Sequence, residues 1–435
     1  MTDRKDAASG VAPAFASVAR AAQESRRSLL AERARAATEL PLRYWRQQAH
    51  FTTPASGAPA KAIRGLDAVP RLLERFGIDL AQVARRSGAS ADALQAVLDG
   101  SPHAPLVMVD AEDAVALTDS AATQARRGAI DCFTGAEWGP TLAFFRPAGL
   151  GLESCVEDLL CVLPEAARGR DAADYPIDGV IWPKAEHPGE LGWLCEILDS
   201  VEAKLGLPEH RIRVQFLVES GYALNQLAEL AQACLPRLAG IIWGIADYSA
   251  DANLPAIRND HPLCDWARYE IVNIAGAVGV PAIDCMTLMY PTPVHRGGEL
   301  TATQVEENRQ RILDALAAVY RDARHGADLG MAGKWVGHPL QLWMVLAAYR
   351  EVLGGEQVLR DLAEIEAYQS SVEAGAGATI IGEGASAYMA DRATDRHLRM
   401  RLRRAAAWGL LPASQAEQLG LISAAERADL DGSRG

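Results

Sequence analysis

Short apolar runs punctuate this chain at intervals. From residue 49 onward they read "AHFTTP", "PLVMVD", "TLAFFR", "DGVIWPK", "RVQFLVES", "GIIWGIAD", "VPAIDCM" and "GKWVGHP". Short apolar runs bounded by turn residues predict buried strands. Between most of them lie segments with apolar residues three and four apart, such as "ELGWLCEILDSVEAKLG" and "ALNQLAELAQACLPRLA". That spacing predicts amphipathic helices. Strands alternating with helices imply parallel βαβ units. Eight such units predict an α/β fold, the (β/α)8 TIM barrel, whose typical size is about 250 residues. A doubly wound open sheet is the alternative, because the stretch before the second run is long and irregular.

The flanks read differently. Residues 1–46 predict an N-terminal helical extension built on "ARAAQESRRSLLAERARAATEL", and residues 47–345 the barrel. Residues 346–435 predict a helical, lid-bearing segment, broken by the Gly-rich "EAGAGATIIGEGASAY" and followed by the basic "DRATDRHLRMRLRRAAAWG". The longest apolar runs, such as "LWMVLAAY", are too short to span a bilayer.

Composition narrows the function. Lys and Arg number 43 against 56 Asp and Glu, a net charge of -13. That balance argues against nucleic acid or an anionic membrane as partner, since both need a basic footprint. Seven cysteines, an odd number with no Cys-x-x-Cys, point to a reduced cytoplasmic protein rather than a disulfide or zinc framework. Asp3, Asp6, Glu24 and Glu32 interrupt any transit-peptide pattern, and no signal-peptide core is present.

In a TIM barrel, polar residues at the C-terminal strand ends face the active-site mouth. Here they are Asp110, Glu112 and Asp113 after the second run and Arg146 after the third. Lys184 and Glu186 follow the fourth, Glu219 the fifth and Asp247 the sixth, with Lys334 and His338 on the eighth. Glu219 and Asp247 each directly follow an apolar run, which suits two metal ligands on neighbouring strands. Paired carboxylates with waters and substrate oxygens are a usual Mg²⁺ environment. A single acid at a strand end is more often a turn or helix-capping residue, and Asp251 reads that way. Glu112 and Asp113 could simply open the helix that follows, and Lys184 could be a surface charge.

Other signals are weaker. "GAGATIIGEG" lacks the Lys and Ser/Thr of a phosphate-binding loop and suits a mobile lid. "VESGY" lacks the Ser-hydrolase elbow. His338 reads as a packed loop residue before it reads as a base. "RHLRMRLRR" reads as a solvated or subunit-contacting face, with binding of coenzyme A phosphates the alternative.

The ordered set "VDAEDAV", "FFR", "DGVIWPKAE", "FLVESGYALNQLAELA", "WGIADYSAD" and "GMAGKWVGHPLQ" resembles the HpcH/HpaI aldolase and citrate lyase beta-subunit-like superfamily. The nearest likeness is to malyl-CoA and citramalyl-CoA lyases, over residues 48–345 and more weakly to about 400. "DAEDAV" followed by "PKAE" carries most of the specificity. The resemblance implies a trimeric or hexameric TIM barrel using Mg²⁺, or Mn²⁺, to cleave or form a carbon–carbon bond. It implies Glu219 and Asp247 as metal ligands, with Glu112 and Asp113 orienting metal-bound waters. Arg146 would hold the reacting carbonyl or enolate oxygen, and Lys184 would join it in binding substrate. Backbone amides near Ala246 and Asp247 would hold the substrate carboxylate. A C-terminal acid, Glu383 or Asp391, would handle the proton from a lid closing over a neighbouring subunit. Departures stand at Arg146-Pro147-Ala148, Glu219-Ser220 and Gly337-His338-Pro339, and "MTLMYPTPVHRGGELTATQVEENRQ" matches nothing in the family pattern.

The leading expectation is therefore a Mg²⁺-dependent lyase acting on a 3-hydroxyacyl-CoA. The alternatives are a CoA-independent aldolase releasing a 2-oxo acid such as pyruvate, a malate-synthase-like variant, and a non-catalytic metabolite-binding barrel.

Overall fold

The computed structural model describes residues 13–35, 40–113, 115–382, 384 and 387–431. Eight parallel strands close into a barrel: β1 (Ala49–Pro54), β2 (Leu106–Asp110), β3 (Leu142–Arg146), β4 (Gly179–Trp182), β5 (Arg213–Val218), β6 (Leu238–Trp243), β7 (Ala282–Asp284) and β8 (Gly333–Val336). Closure comes from β1 pairing with β8, Ala49 opposite Lys334. All eight runs expected as strands are strands, and closure excludes the open doubly wound sheet. The irregular stretch before β2 holds helices Val69–Arg75, Leu80–Ser87 and Ala91–Leu98. The second of these opens on a capping box between Asp79 and Gln82.

The strands are buried on both faces, as parallel strands covered by helices must be. Side chains alternate across the sheet. Leu106, Met108, Leu142, Phe144, Ile181, Leu217, Ile242 and Ile283 fill the barrel interior, while Val107, Val109, Ala143 and Phe145 pack outward into the main core. This parity is what positions the site. Counting on by two from Met108, Phe144 and Leu217 places Asp110, Arg146 and Glu219 on the inward face, one layer above the apolar plug.

The floor is closed by residues just ahead of β1. Tyr44 sits in the interior cluster, edge-on to Phe144, so residues 42–46, grouped by sequence with the extension, help build the barrel floor. Gln47 donates to the Ala239 carbonyl at 2.9 Å and accepts from Gln215 at 2.8 Å. Helix Ala16–Arg35, by contrast, is almost wholly exposed where described.

After β8, helix Pro339–Val352 packs back on the barrel wall. The remaining helices gather around Leu398, Leu402 and Leu411 in an apolar cluster that also takes in Leu42. The Gly-rich stretch contains a small antiparallel hairpin, β9 (Thr379–Ile381) with β10 (Tyr388–Ala390). Among the described residues no helix is long and apolar enough to cross a membrane. All seven cysteines are free, five of them buried.

Candidate active site

At the C-terminal mouth, Asp110 on β2 and Arg146 on β3 stand opposite each other. Arg146 donates from Nε and Nη2 to the two Asp110 oxygens, each at 2.7 Å. Both side chains are at most 2% exposed, and the guanidinium lies over the Trp335 ring, 5.2 Å from its centroid. Burial opposes the Arg146 charge, but Asp110 outweighs it and the guanidinium is held firmly protonated. Its third nitrogen, Nη1, reaches Glu112 and Asp113, both at 3.4 Å.

Lys184 follows β4 with φ of +49°, a left-handed conformation costly for a side chain with a Cβ. The bend has two products. The Lys184 backbone amide donates to Glu219 Oε2 at 3.2 Å. Its ammonium donates to Glu112 at 2.7 Å and Asp113 at 2.9 Å, with Asp247 at 3.9 Å. The two neighbouring acids respond differently. Burial pushes the Glu112 carboxyl up. Burial works against Asp113 too, yet Arg146 and Lys184 hold it below the ordinary range.

Glu219 follows β5 and is 6% exposed. Among the described residues no cationic side chain comes within ion-pair distance of it, and burial pushes its carboxyl up to about 7. It presses against Gly244, where a Cβ would lie 2.4 Å from Glu219 Oε1; only glycine lets the β6 end pass so close. The next residue, Ser220, caps helix Gly221–Asn225 through its hydroxyl. A threonine hydroxyl caps the same way, so the Glu-Ser departure is conservative.

β6 ends at Trp243, and Asp247 lies in the first turn of helix Ile245–Asp251 rather than on the strand end. The turn still delivers it to the mouth. Oxygens of Asp113, Glu219 and Asp247 lie within 4.8 Å of one another. A cavity of about 270 Å³ opens there, lined by Lys184, Glu186, Glu219, Asp247 and Asp251 among others. The structure thus joins Glu219 and Asp247 and adds Asp113 to them, while Glu112 turns toward Arg146 and Lys184. The local charge is lopsided: five carboxylates face two cations, and buried Glu219 has no cationic partner among the described residues. A divalent cation fits that donor set.

Other residues fall elsewhere. Asp251, expected as a local turn or N-cap residue, instead ends helix Ile245–Asp251 and accepts from the Gly221 amide of a neighbouring helix at 2.8 Å. Lys334 is not at the mouth. It points outward from β8 and is itself fully buried, 2.8 Å from both Asp284 and Asp322. His338 caps helix Pro339–Val352, and burial pushes its imidazole down to about 4. Asp391 is exposed and forms a capping box with Thr394 at the start of helix Arg392–Ala407; within one chain that is its only described work. Glu383 lies outside the described residues. Three arginines of the basic helix are paired with acids, Arg399 with Asp395, Arg401 with Asp361 and Arg403 with Glu426. Trp335 and Gly244 carried no expected role. The inward parity of β8 and the glycine after "IIW" are the signals that point to them.

With this geometry in place, comparison with known proteins is informative. The family described as Domain of unknown function (DUF6986) matches residues 110–432. The chain belongs to this family. An L-malyl-CoA/beta-methylmalyl-CoA lyase of Haloarcula marismortui is 24% identical over 234 residues, 53% of this chain and 62% of that enzyme. The protein of the same name from Cereibacter sphaeroides is 24% identical over 294 residues, 64% of this chain and 81% of its own. A citrate lyase structure from Burkholderia xenovorans aligns with TM-score 0.55 and 17% identity, covering 91% of this chain and 97% of its own, which shows a shared fold. These are the relatives expected of the HpcH/HpaI aldolase and citrate lyase beta-subunit-like superfamily, whose motifs the sequence carries.

The raised Glu219 carboxyl makes a prediction for metal-free protein. Its value rises from 4.5 to about 7 on folding, so the folded state holds this proton more tightly than the unfolded chain. The resulting stabilisation is full below pH 4.5 and lost as pH climbs through 7, a change of about 3 kcal/mol. Glu219→Gln cannot undergo this loss. Urea unfolding in chelator should show the variant gaining about 2.5 kcal/mol on the parent between pH 5 and pH 8. A gap that does not change with pH would contradict the assignment.

Proposed function

We propose that the barrel mouth is the active site of a divalent-metal-dependent carbon–carbon lyase acting on a 3-hydroxyacyl-CoA such as malyl-CoA or citramalyl-CoA. The observation that carries this reading is the convergence of Asp113, Glu219 and Asp247 beside Arg146, with one buried carboxylate lacking a counter-charge. Glu219 and Asp247 would hold the metal, with Asp113 completing the set or fixing a metal-bound water alongside Glu112. Mg²⁺ is the fitting ion for an all-oxygen site, and Mn²⁺ the substitute. When bound, such an ion supplies Lewis-acid stabilisation of negative charge on a substrate oxygen.

The chain's own residues do the rest. First-turn amides of helix Ile245–Asp251, at Ala246 and Asp247, would donate to the substrate carboxylate, since such amides lack intrahelical partners. One of the ionised mouth carboxylates would take the proton of the C3 hydroxyl; as that oxygen becomes a carbonyl, the bond between C2 and C3 breaks and its electrons move into the thioester carbonyl. Arg146 Nη1 would donate to that oxygen, the other two guanidinium nitrogens being fixed on Asp110. Lys184 would steady the substrate from the opposite side. The enolate carbon then takes a proton from a C-terminal acid, Glu383 or Asp391, carried by a neighbouring subunit of a homotrimer or homohexamer.

A second reading has one observation in its favour. Arg146 and Lys184 are committed to carboxylates, and three arginines of the basic helix are paired with acids. The phosphates of coenzyme A therefore find few free cations, which suits a CoA-independent aldolase releasing a 2-oxo acid from a free hydroxyacid.

Purified protein with saturating Mg²⁺ should cleave members of a panel of hydroxyacyl-CoAs. Glu219→Gln and Asp247→Asn should each lower turnover by about 10³-fold or more, as expected for loss of a major charge-stabilising element. Products formed only from free 4-hydroxy-2-oxo acids would replace the thioester reading with the aldolase. Near-normal turnover in either variant would remove the metal assignment.

The source of the proton is checked by mixing. Asp247→Ala subunits co-assembled with Glu383→Gln subunits, each inactive alone, should regain part of the activity if Glu383 acts across the interface; Asp391→Asn is tested in the same way. No recovery in verified mixed oligomers, for either acid, would end the proposal that either acts in trans.

A further inference from the structure

We infer that Tyr290 selects the half of the substrate that leaves as the thioester enolate, its hydroxyl admitting an unbranched C2 and excluding a carbon branch there. The inference rests on the lyase reading above. Tyr290 lies in the loop between β7 and helix Ala302–Asp328, inside the stretch that departs from the family pattern. Gly337, just beyond β8, is a second departure. The structure joins the two. A Cβ on Gly337 would overlap the Tyr290 hydroxyl oxygen and lie 3.2 Å from its Cζ. The side chain absent at 337 leaves the space that the tyrosine tip fills.

Strand parity puts this contact in the mouth. Trp335 packs against the interior cluster, beneath the Arg146 guanidinium. Gly337 is the next inward position, about 6.6 Å further along the chain. Trp335, Gly337, His338 and Tyr290 are all half-buried, whereas the outward-facing Lys334 and Val336 are sealed. The loop that carries Tyr290 is fastened at both ends. Gln341 accepts from the Gly337 amide at 3.0 Å and donates to the Thr287 carbonyl at 3.2 Å. Asn308 accepts from the His295 amide at 2.8 Å and donates to its carbonyl at 3.0 Å. Between these anchors, Tyr290 meets His338 edge-on, with ring centroids 5.8 Å apart.

The Tyr290 hydroxyl has no other employment. Among the described residues it makes no hydrogen bond, and unlike the sealed polar atoms of the core it keeps contact with solvent. Burial raises the phenol above its ordinary value, so it stays protonated. In the proposed reaction Arg146 Nη1 holds the thioester oxygen, and C2 is bonded to that carbonyl carbon. A group on C2 therefore lies on the Arg146 side, where the wall runs from Trp335 up to the tyrosine tip. A hydrogen on C2 fits against a hydroxyl. A methyl, about as large as that hydroxyl, has to displace it, and a single misplaced carbon changes kcat/KM by about 10- to 200-fold. Malyl-CoA and citramalyl-CoA both have an unbranched C2; the C2-methyl counterpart of malyl-CoA does not.

The test compares kcat/KM for malyl-CoA with that for its C2-methyl counterpart. The parent should favour the unbranched thioester by about tenfold or more. Tyr290→Phe, which removes only the hydroxyl, should cut that ratio by about threefold or more by raising kcat/KM for the methyl substrate. Gly337→Ala should do the same, since its Cβ has to push the tyrosine aside. Adding Gly337→Ala to Tyr290→Ala should change the ratio no further. Thermal unfolding reads the interlock without activity: Gly337→Ala should lower Tm by about 2 °C or more in the parent and not in Tyr290→Ala. If thioesters are not cleaved, the same comparison is made with 4-hydroxy-2-oxo acids bare or methylated at C3, the carbon that then becomes the enolate. Cleavage of neither set would remove the lyase reading and this inference with it. Cleavage with a ratio that Tyr290→Phe and Gly337→Ala leave unmoved, or effects of the two positions that simply add, would overturn the inference alone.

Discussion

Asp110 and Arg146 face each other across adjacent strands in a two-pronged ion pair sealed inside the barrel. Such a pair adds little net stability, but losing one partner strands a buried charge at a cost of about 3–5 kcal/mol. Its consequence here is one of allocation. Asp110 occupies two of the guanidinium's three nitrogens, and Trp335 lies against its face. Only Nη1 and the Lys184 ammonium remain to offset Glu112, Asp113, Glu219 and Asp247. Glu219, the most buried of these four, receives a backbone amide and, among the described residues, no cation. An added divalent charge would relieve that imbalance, and this is what supports the proposed metal site over a closed structural network.

The buried cluster behind β7 and β8 makes the contrast plain. Asp284 and Asp322 share Lys334, and Asp284 also receives Arg268. Asp284 is held down at about 2 by Lys334 and Arg268 against the effect of burial. Acids with fixed cations at 2.7–2.8 Å have nothing left to offer a ligand. Similar residue types at similar strand ends thus serve opposite purposes, and facing decides which.

That distinction also explains what the sequence could and could not reveal. The eight apolar runs fixed strand count and order, and Glu219 and Asp247 were readable as a pair at the ends of neighbouring runs. Facing was not readable where a strand is apolar on both sides. "GKWV" does not say whether Lys334 or Trp335 points inward, and the outward answer removed Lys334 from the mouth. "GIIWGIAD" hid the stop after Trp243, because Ile245 continues the apolar run inside a helix. Asp113 was read as a water-orienting residue, since a loop side chain's direction depends on Lys184 and Arg146 arriving from other strands. The capping role of Asp391 was local and legible, in the Asp-x-x-Thr that opens the last basic helix.

Whether the mouth binds a divalent cation through Glu219, Asp247 and Asp113 is settled by anomalous diffraction from crystals grown with Mn²⁺. One strong peak is expected within coordination distance of Glu219 and Asp247, with Asp113 contacting it directly or through one water. Mouth density without such a peak, with the Lys184 ammonium still seated among the carboxylates at saturating Mn²⁺, would contradict it.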